Sequence, residues 1–161
     1  MTIGFILNGE DVVIRTDAEK RLVEILRGTF NLTGTKSGCN TGNCGACSII
    51  FNGEVVKSCL IPAFKIRDSE IITIEGFSQT DEYNDIVSGF SEAGLENCGF
   101  CNTGKILAAE ALLAKNPQPS RDEILAAFHG IRCRCTEPDS LIRGITEVKK
   151  YRRRRIYGRS S

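Results

Sequence analysis

The chain has 161 residues, of which 41 % are hydrophobic and 25 % charged, and its formal net charge is +1. This composition is typical of a soluble globular protein with one ordinary domain or two small ones. The near-neutral charge does not favour nucleic-acid binding, and no window reaches the roughly 18 apolar residues of a membrane helix. The first ten residues lack the basic segment of a signal peptide, so we expect a cytoplasmic protein.

Three cysteines, Cys39, Cys44 and Cys47, lie within nine residues, and Cys59 follows after eleven intervening residues. This C-x4-C-x2-C spacing with a more distant cysteine is that of plant-type [2Fe–2S] clusters. The glycines between the cysteines allow a tightly curled backbone whose N–H groups point at the sulfurs. The segment therefore predicts a cluster-binding loop.

Two hairpins are predicted in the first half, where β-type runs flank Asn-Gly turns: residues 3–8 and 11–15, and residues 48–51 and 54–58. A helix is predicted from Asp17, as its cap, to Arg27, with Gly28 ending it. A further strand is predicted over Glu70–Glu75. Together these elements predict a small β-grasp-like sheet, and the second hairpin brings Cys59 back beside the cysteine loop.

The second half has helical patterns throughout, which makes the expected fold class α+β. The predicted helices cover residues 83–93, residues 103–115, a segment from the Ser120 capping box to Gly130, and a segment starting at Pro138. We therefore divide the chain into domains 1–77 and 78–161. The run Arg152–Arg155 near the C-terminus predicts a solvated basic tail rather than a docking site for an acidic partner.

A second cysteine set, Cys98, Cys101, Cys133 and Cys135, lies in the helical half. If the two helices between these pairs form an antiparallel hairpin, all four sulfurs return to one end, near a helix N-terminus that favours thiolates. A four-cysteine zinc site is the alternative. Disulfides do not suit the expected compartment, and a thioredoxin-like motif would need a preceding strand.

The cysteine-bearing stretches resemble the small iron–sulfur subunit of the molybdenum hydroxylases, a family that includes xanthine dehydrogenase, aldehyde oxidase, nicotinate dehydrogenase and carbon monoxide dehydrogenase. The matching stretches are Leu-Thr-Gly-Thr-Lys-Ser-Gly-Cys39, Gly-Asn-Cys44-Gly-Ala-Cys47, Ser-Cys59-Leu, Cys98-Gly-Phe-Cys101 and Cys133-Arg-Cys135-Thr136. The resemblance covers nearly the whole chain and all eight cysteines. It implies a plant-type ferredoxin-like domain followed by a four-helix [2Fe–2S]-binding domain.

The resemblance further implies an electron relay with no catalytic residue or substrate site on this chain. Its expected partners are a large subunit with a molybdopterin, in its cytosine dinucleotide form, and a medium subunit with FAD. Electrons would leave the molybdenum centre through the helical-domain cluster and then the β-domain cluster. The expected assembly is a hetero-oligomer, without membrane or nucleic acid, that acts on a purine or another N-heterocycle. The alternative is a stand-alone ferredoxin-like carrier or an accessory iron–sulfur subunit of another redox enzyme.

Three departures from the family pattern surround the second cysteine set. Asn97 stands where the family has a glutamine that touches the pterin, so Asn97 is the candidate for that contact. The run Asn102-Thr103-Gly104-Lys105 replaces the usual Thr-Pro-Gly-Met, and Glu137-Pro138 replaces Gly-Tyr. The changes are therefore expected on the face that meets the large subunit.

Overall fold

The first half of the chain forms a mixed five-stranded sheet in this computed structural model, which describes residues 1–36, 47–95, 102–129 and 137–157. The strands are β1 (Thr2–Leu7), β2 (Glu10–Arg15), β3 (Ser48–Phe51), β4 (Glu54–Lys57) and β5 (Glu70–Ile72). They lie in the order β2-β1-β5-β3-β4. β1 and β5 pair in parallel, and the other neighbours are antiparallel. The predicted β-grasp-like sheet is confirmed.

Both predicted Asn-Gly hairpins are confirmed. Asn8 and Gly9 have φ angles of 51° and 84°, and Asn52 and Gly53 have φ angles of 50° and 86°. Positive φ at both central residues is the signature of the two-residue turns whose twist matches that of the flanking strands. The second turn fixes the register of β3 on β4, with Ser48 opposite Lys57.

One face of the sheet carries the core of the first half. Because side chains alternate along a strand, β1 directs Ile3, Phe5 and Leu7 inward. The buried residues of this core are Ile3, Phe5, Leu7, Ile14, Leu22, Ile25, Leu26, Ile49, Ala63, Ile66 and Ile71. Leu22, Ile25 and Leu26 belong to α1 (Leu22–Glu24) and to the π-helical turn Ile25–Thr29 that continues it, and Ala63 begins the 3₁₀ turn Ala63–Lys65.

The predicted start and end of the first helix are wrong. The helix begins at Leu22, and the π-helical turn runs through Gly28 to Thr29. The Leu22 N–H donates to the Ile61 carbonyl at 2.8 Å, and the Ala63 N–H donates to the Lys20 carbonyl at 2.8 Å. This long-range pairing holds the chain extended just before Leu22, so Asp17 does not cap the helix.

The strand predicted over Glu70–Glu75 is shorter than expected. It ends at Ile72, and the chain turns into α2 (Ile74–Phe77). The Asn8 side chain accepts the Thr73 N–H at 2.8 Å and donates to the Thr73 hydroxyl at 3.0 Å. Thr73 therefore bonds to the first hairpin turn rather than extending the strand.

Four longer helices form the second half, as predicted. They are α3 (Asp81–Glu92), α4 (Asn102–Lys115), α5 (Arg121–Phe128) and α6 (Pro138–Tyr157). The predicted capping box is present: the Ser120 hydroxyl accepts the Glu123 N–H and the Glu123 carboxylate accepts the Ser120 N–H, both at 3.2 Å. The predicted helix end at Gly130 lies outside the described residues.

Close packing of α3 against α6 organises the helical core. A Cβ atom on Gly89 of α3 would lie 2.5 Å from both the backbone nitrogen and Cγ2 of Val148 on α6. Glycine at this position therefore lets the two helices approach each other. Ile50 of β3 belongs to the same apolar cluster, so the sheet and the helices pack together.

The arginine run near the C-terminus is helical and only half solvated, since Arg153 and Arg154 are exposed but Arg152 and Arg155 are not, which corrects the expectation from the sequence. It lies in α6, and two of its members form ion pairs with other helices. Arg155 Nε lies 2.8 Å from Asp85 Oδ2 on α3. Arg152 pairs with Glu110 on α4 and lies 3.7 Å from the same Asp85 oxygen. These residues join three helices. Within the described ranges, no helix is both long and apolar enough to cross a membrane.

Candidate metal centre

Two of the eight candidate ligands, Cys47 and Cys59, lie side by side at one end of the β3–β4 hairpin. Cys47 comes directly before β3, and Cys59 lies in the 3₁₀ turn Ser58–Leu60 directly after β4. Because Ser48 pairs with Lys57, the hairpin register brings the two cysteines together. Their side chains are 1 % and 4 % exposed and pack against Val23 of α1.

Ser58 holds the backbone of this pair in place. Its hydroxyl donates to the Cys47 carbonyl at 2.7 Å, and its N–H donates to the same carbonyl at 3.2 Å. The Ser58 side chain is fully buried. Two hydrogen bonds to one carbonyl fix the turn that follows β4 against the residue that precedes β3. The cysteine spacing does not predict that Ser58 binds the Cys47 carbonyl. This contact results from the register of β3 on β4.

The environment of the pair fits ligation by iron. Burial raises the pKa of the Cys47 thiol, and a hydrogen bond with the Cys59 backbone acts in the opposite direction. A buried thiol is therefore neutral without a cation, whereas ligation requires the thiolate. Two soft sulfur donors held together in a dry position suit an iron–sulfur cluster. A bound cluster would supply reversible one-electron chemistry at this place.

The other predicted site residues lie outside the described residues. They are Cys39, Cys44, Asn97, Cys98, Cys101, Cys133 and Cys135. The elements that flank the second cysteine set are described: α4 starts directly after Cys101 in the sequence, and α5 is followed by His129. α4 and α5 pack against each other, and the Asn116 side chain after α4 donates to the Glu123 carboxylate of α5 at 2.9 Å.

The chain segment that leads to Cys39 is fixed from several sides. Arg27 donates to the Thr33 and Thr35 carbonyls, both at 2.9 Å. Gly34 donates its N–H to Glu75 at 2.9 Å, and its carbonyl accepts the Thr103 hydroxyl at 3.2 Å.

A Cβ atom on Gly34 would lie 2.5 Å from Ile74 Cγ2, so this close approach requires glycine. Thr103 belongs to the first turn of α4, two positions after Cys101. The segments adjoining the two cysteine sets are thus in direct contact at Gly34 and Thr103, which the sequence alone did not predict.

Comparison with known proteins identifies both halves. The 2Fe-2S iron-sulfur cluster binding domain family matches residues 5–71, and the [2Fe-2S] binding domain family matches residues 73–146. Together with the fold and the buried cysteine pair, these matches define the class: a protein with two [2Fe–2S]-binding domains.

Full-length relatives specify the family. The chain is 46 % identical to the nicotinate dehydrogenase small FeS subunit of Eubacterium barkeri, over 84 % of this chain and 87 % of that protein. It is 34 % identical to the nicotine 6-hydroxylase small subunit of Paenarthrobacter nicotinovorans, over 88 % and 86 %. Quinoline 2-oxidoreductase from Pseudomonas putida 86 contains a chain that superimposes with a TM-score of 0.85 at 38 % identity, covering 95 % and 96 %. The chain belongs to the small iron–sulfur subunits of the molybdenum hydroxylases, which are oxidoreductases.

Proposed function

We propose that this chain relays electrons within a molybdopterin-dependent hydroxylase, from the molybdenum centre of a large subunit to FAD or another acceptor. The observation that carries the proposal is the buried Cys47–Cys59 pair within a fold that matches two [2Fe–2S]-binding families. The chain supplies ligation, burial and hydrogen bonds near the sulfurs, which are the features that set cluster potentials. We place its domain boundary between residues 77 and 78.

In this proposal the eight cysteines hold two clusters, one for each domain. Cys47 and Cys59 ligate the β-domain cluster together with Cys39 and Cys44. The helical-domain cluster is ligated by Cys98, Cys101, Cys133 and Cys135. The spacing of both sets and the buried, adjacent position of the described pair support this assignment.

The proposed partners are a large subunit with a molybdopterin cytosine dinucleotide and a medium subunit with FAD. The helical-domain cluster is proposed to lie nearer the pterin and the β-domain cluster nearer the flavin. Asn97 is the proposed contact to the pterin. The lengths of the relatives support a separate partner, since the chain covers 87 % and 86 % of the two small subunits but only 16 % of the aldehyde oxidoreductase of Megalodesulfovibrio gigas. The proposed compartment is the cytoplasm.

We propose an N-heteroaromatic compound as the substrate of the assembled enzyme. Several relatives carry names of this chemical class, including nicotinate dehydrogenase and isoquinoline 1-oxidoreductase. Quinoline 2-oxidoreductase, which has the same fold in one of its chains, belongs to the same class. The shared chemistry is an aromatic ring with an electron-poor carbon beside nitrogen.

Purification of the tagged chain from its native host tests the proposal. We expect a complex of three different subunits that contains molybdenum, flavin and about four irons for each copy of this chain. The alternative function, a stand-alone carrier, predicts a monomer that contains iron but neither molybdenum nor flavin, and this result would contradict the subunit proposal. A colourless preparation containing zinc would contradict both.

A further inference from the structure

Lys105 is a buried lysine in the first turn of α4. Its side chain is 2 % exposed, and it is the only lysine or arginine among the buried residues of the described chain. Lysine is almost never fully buried, because an ammonium group loses much hydration free energy on leaving water. A charge in this position therefore acts on its surroundings through a low dielectric constant, with little screening by salt.

The direction of α4 along the β3–β4 hairpin places Lys105 at the cysteine end. Lys115, at the other end of α4, lies 3.8 Å from Glu54 beside the hairpin turn. Ten residues of helix from Lys115 back to Lys105 rise about 15 Å. Four residues of strand from Phe51 back to Cys47 span about 13 Å. Lys105 and Cys47 therefore lie at the same end of this helix–hairpin pair.

The face of α4 that carries Lys105 is the one turned toward the hairpin. Ala108, one turn further along the helix, lines a groove together with Ser48 of β3 and Val56 of β4. Residues three apart on a helix lie on the same face, and side chains lean toward the helix N-terminus. Lys105 thus extends this face toward the start of β3, where Cys47 precedes Ser48.

The same end of α4 adjoins the other cysteine set. Lys105 follows Cys101 by four positions, and Thr103 in the same turn donates to Gly34, five positions before Cys39. Lys105 therefore lies at the same end of the helix–hairpin pair as Cys47 and Cys59, and four positions along the chain from Cys101.

We propose that Lys105 raises the reduction potential of the [2Fe–2S] clusters that these cysteines hold. It would act through its positive charge and not as a ligand. The inference rests on the proposed function. One electron added to a cluster brings one unit of negative charge, and a nearby buried cation stabilises that charge. At about 12 Å and an effective dielectric constant of about 20, Coulomb's law gives about a tenfold effect on the ratio of reduced to oxidised cluster. For a one-electron couple this ratio corresponds to about 59 mV.

Redox titration with dithionite, followed by EPR, tests the inference on the purified complex. The unchanged protein is measured first: two [2Fe–2S] signals and about four irons for each copy of this chain support the proposed function independently. Lys105→Met is then expected to lower the midpoint potential of at least one cluster by about 59 mV, a tenfold change in the ratio of reduced to oxidised cluster. Lys105→Arg is expected to stay within threefold of the unchanged ratio.

Lys115→Met is the matched control, because it removes the same charge from the other end of the same helix, where the Lys115 side chain is 67 % exposed. It is expected to leave both potentials within threefold of the unchanged ratio. The inference is overturned if Lys105→Met and Lys105→Gln retain both signals with potentials within that limit. It is also overturned if both neutral variants lose the clusters while Lys105→Arg keeps them, because Lys105 would then serve assembly rather than the potential.

Discussion

The ion pairs of Arg152 predict that the end of α6 stabilises the helical domain. Arg152 and Glu110 have side chains 15 % and 18 % exposed, and Asp85, the second partner, is 8 % exposed. Arg152→Met keeps most of the aliphatic part of the side chain but removes the positive charge that pairs with the largely buried carboxylates of Asp85 and Glu110. Breaking a buried ion pair costs about 3–5 kcal/mol. We expect about 2 kcal/mol here, because these groups retain some exposure and Arg155 still binds Asp85.

The cost of this substitution should depend on pH. Burial raises the pKa of Glu110, and the hydrogen bond and charge of Arg152 lower it. When the pKa of a carboxyl is higher in the folded state than in the unfolded state, the group stabilises the fold at pH values below its pKa in the unfolded state. This contribution is lost as the pH rises through its pKa in the folded state. Removing Arg152 raises the pKa of Glu110 further. The deficit of the variant is therefore expected to be largest near pH 7 and smaller near pH 4.

Thermal unfolding of the purified protein, followed by circular dichroism and by the visible absorbance of the clusters, measures this effect. A loss of about 2 kcal/mol corresponds to a decrease in Tm of about 4–8 °C for a chain of this size. Arg153→Met is the matched control, since Arg153 is exposed on the same helix. We expect it to change stability by less than about 0.5 kcal/mol. Equal decreases for the two variants, or a larger deficit at acid pH, would refute the reasoning.

Two further substitutions test packing and the cysteine pair. Gly89→Ala should cost about 1–3 kcal/mol because its Cβ would lie 2.5 Å from Val148, whereas Gly28→Ala, with no atom within 4 Å of its Cβ, should be tolerated in the same Tm measurement. Ser58→Ala removes the hydroxyl bond to the Cys47 carbonyl and should cost about 1 kcal/mol. It should also speed the loss of visible absorbance in chelator, and an unchanged rate would count against the bracing role of Ser58.

The elements that were predicted correctly are those determined by a few neighbouring residues. Asn8-Gly9 and Asn52-Gly53 need positive φ at both residues, and Ser120 with Glu123 satisfies a helix N-terminus, so neither depends on distant contacts. The errors arose where a distant partner decides the structure. Ile61 holds the backbone ahead of α1 extended, and Asn8 ends β5 from 65 residues away.

The candidate site divides in the same way. Cysteine spacing predicted that Cys47 and Cys59 come together, because ligands of one cluster must converge, and the structure places the two side by side. The bond from Thr103 to Gly34 spans 69 positions, and the ion pair of Arg155 with Asp85 spans 70. No local pattern predicts such contacts. The burial of Lys105 likewise had no signal in the sequence, because lysine side chains are rarely buried.

The central claim is that this chain holds two separate [2Fe–2S] clusters, one for each domain. EPR of the dithionite-reduced protein, with iron analysis, tests it most directly when Cys59→Ala and Cys98→Ala are compared with the unchanged chain. We expect about four irons and two signals, with each substitution removing a different signal and leaving the other. A single signal in the unchanged chain, or loss of the same signal in both variants, would contradict the claim.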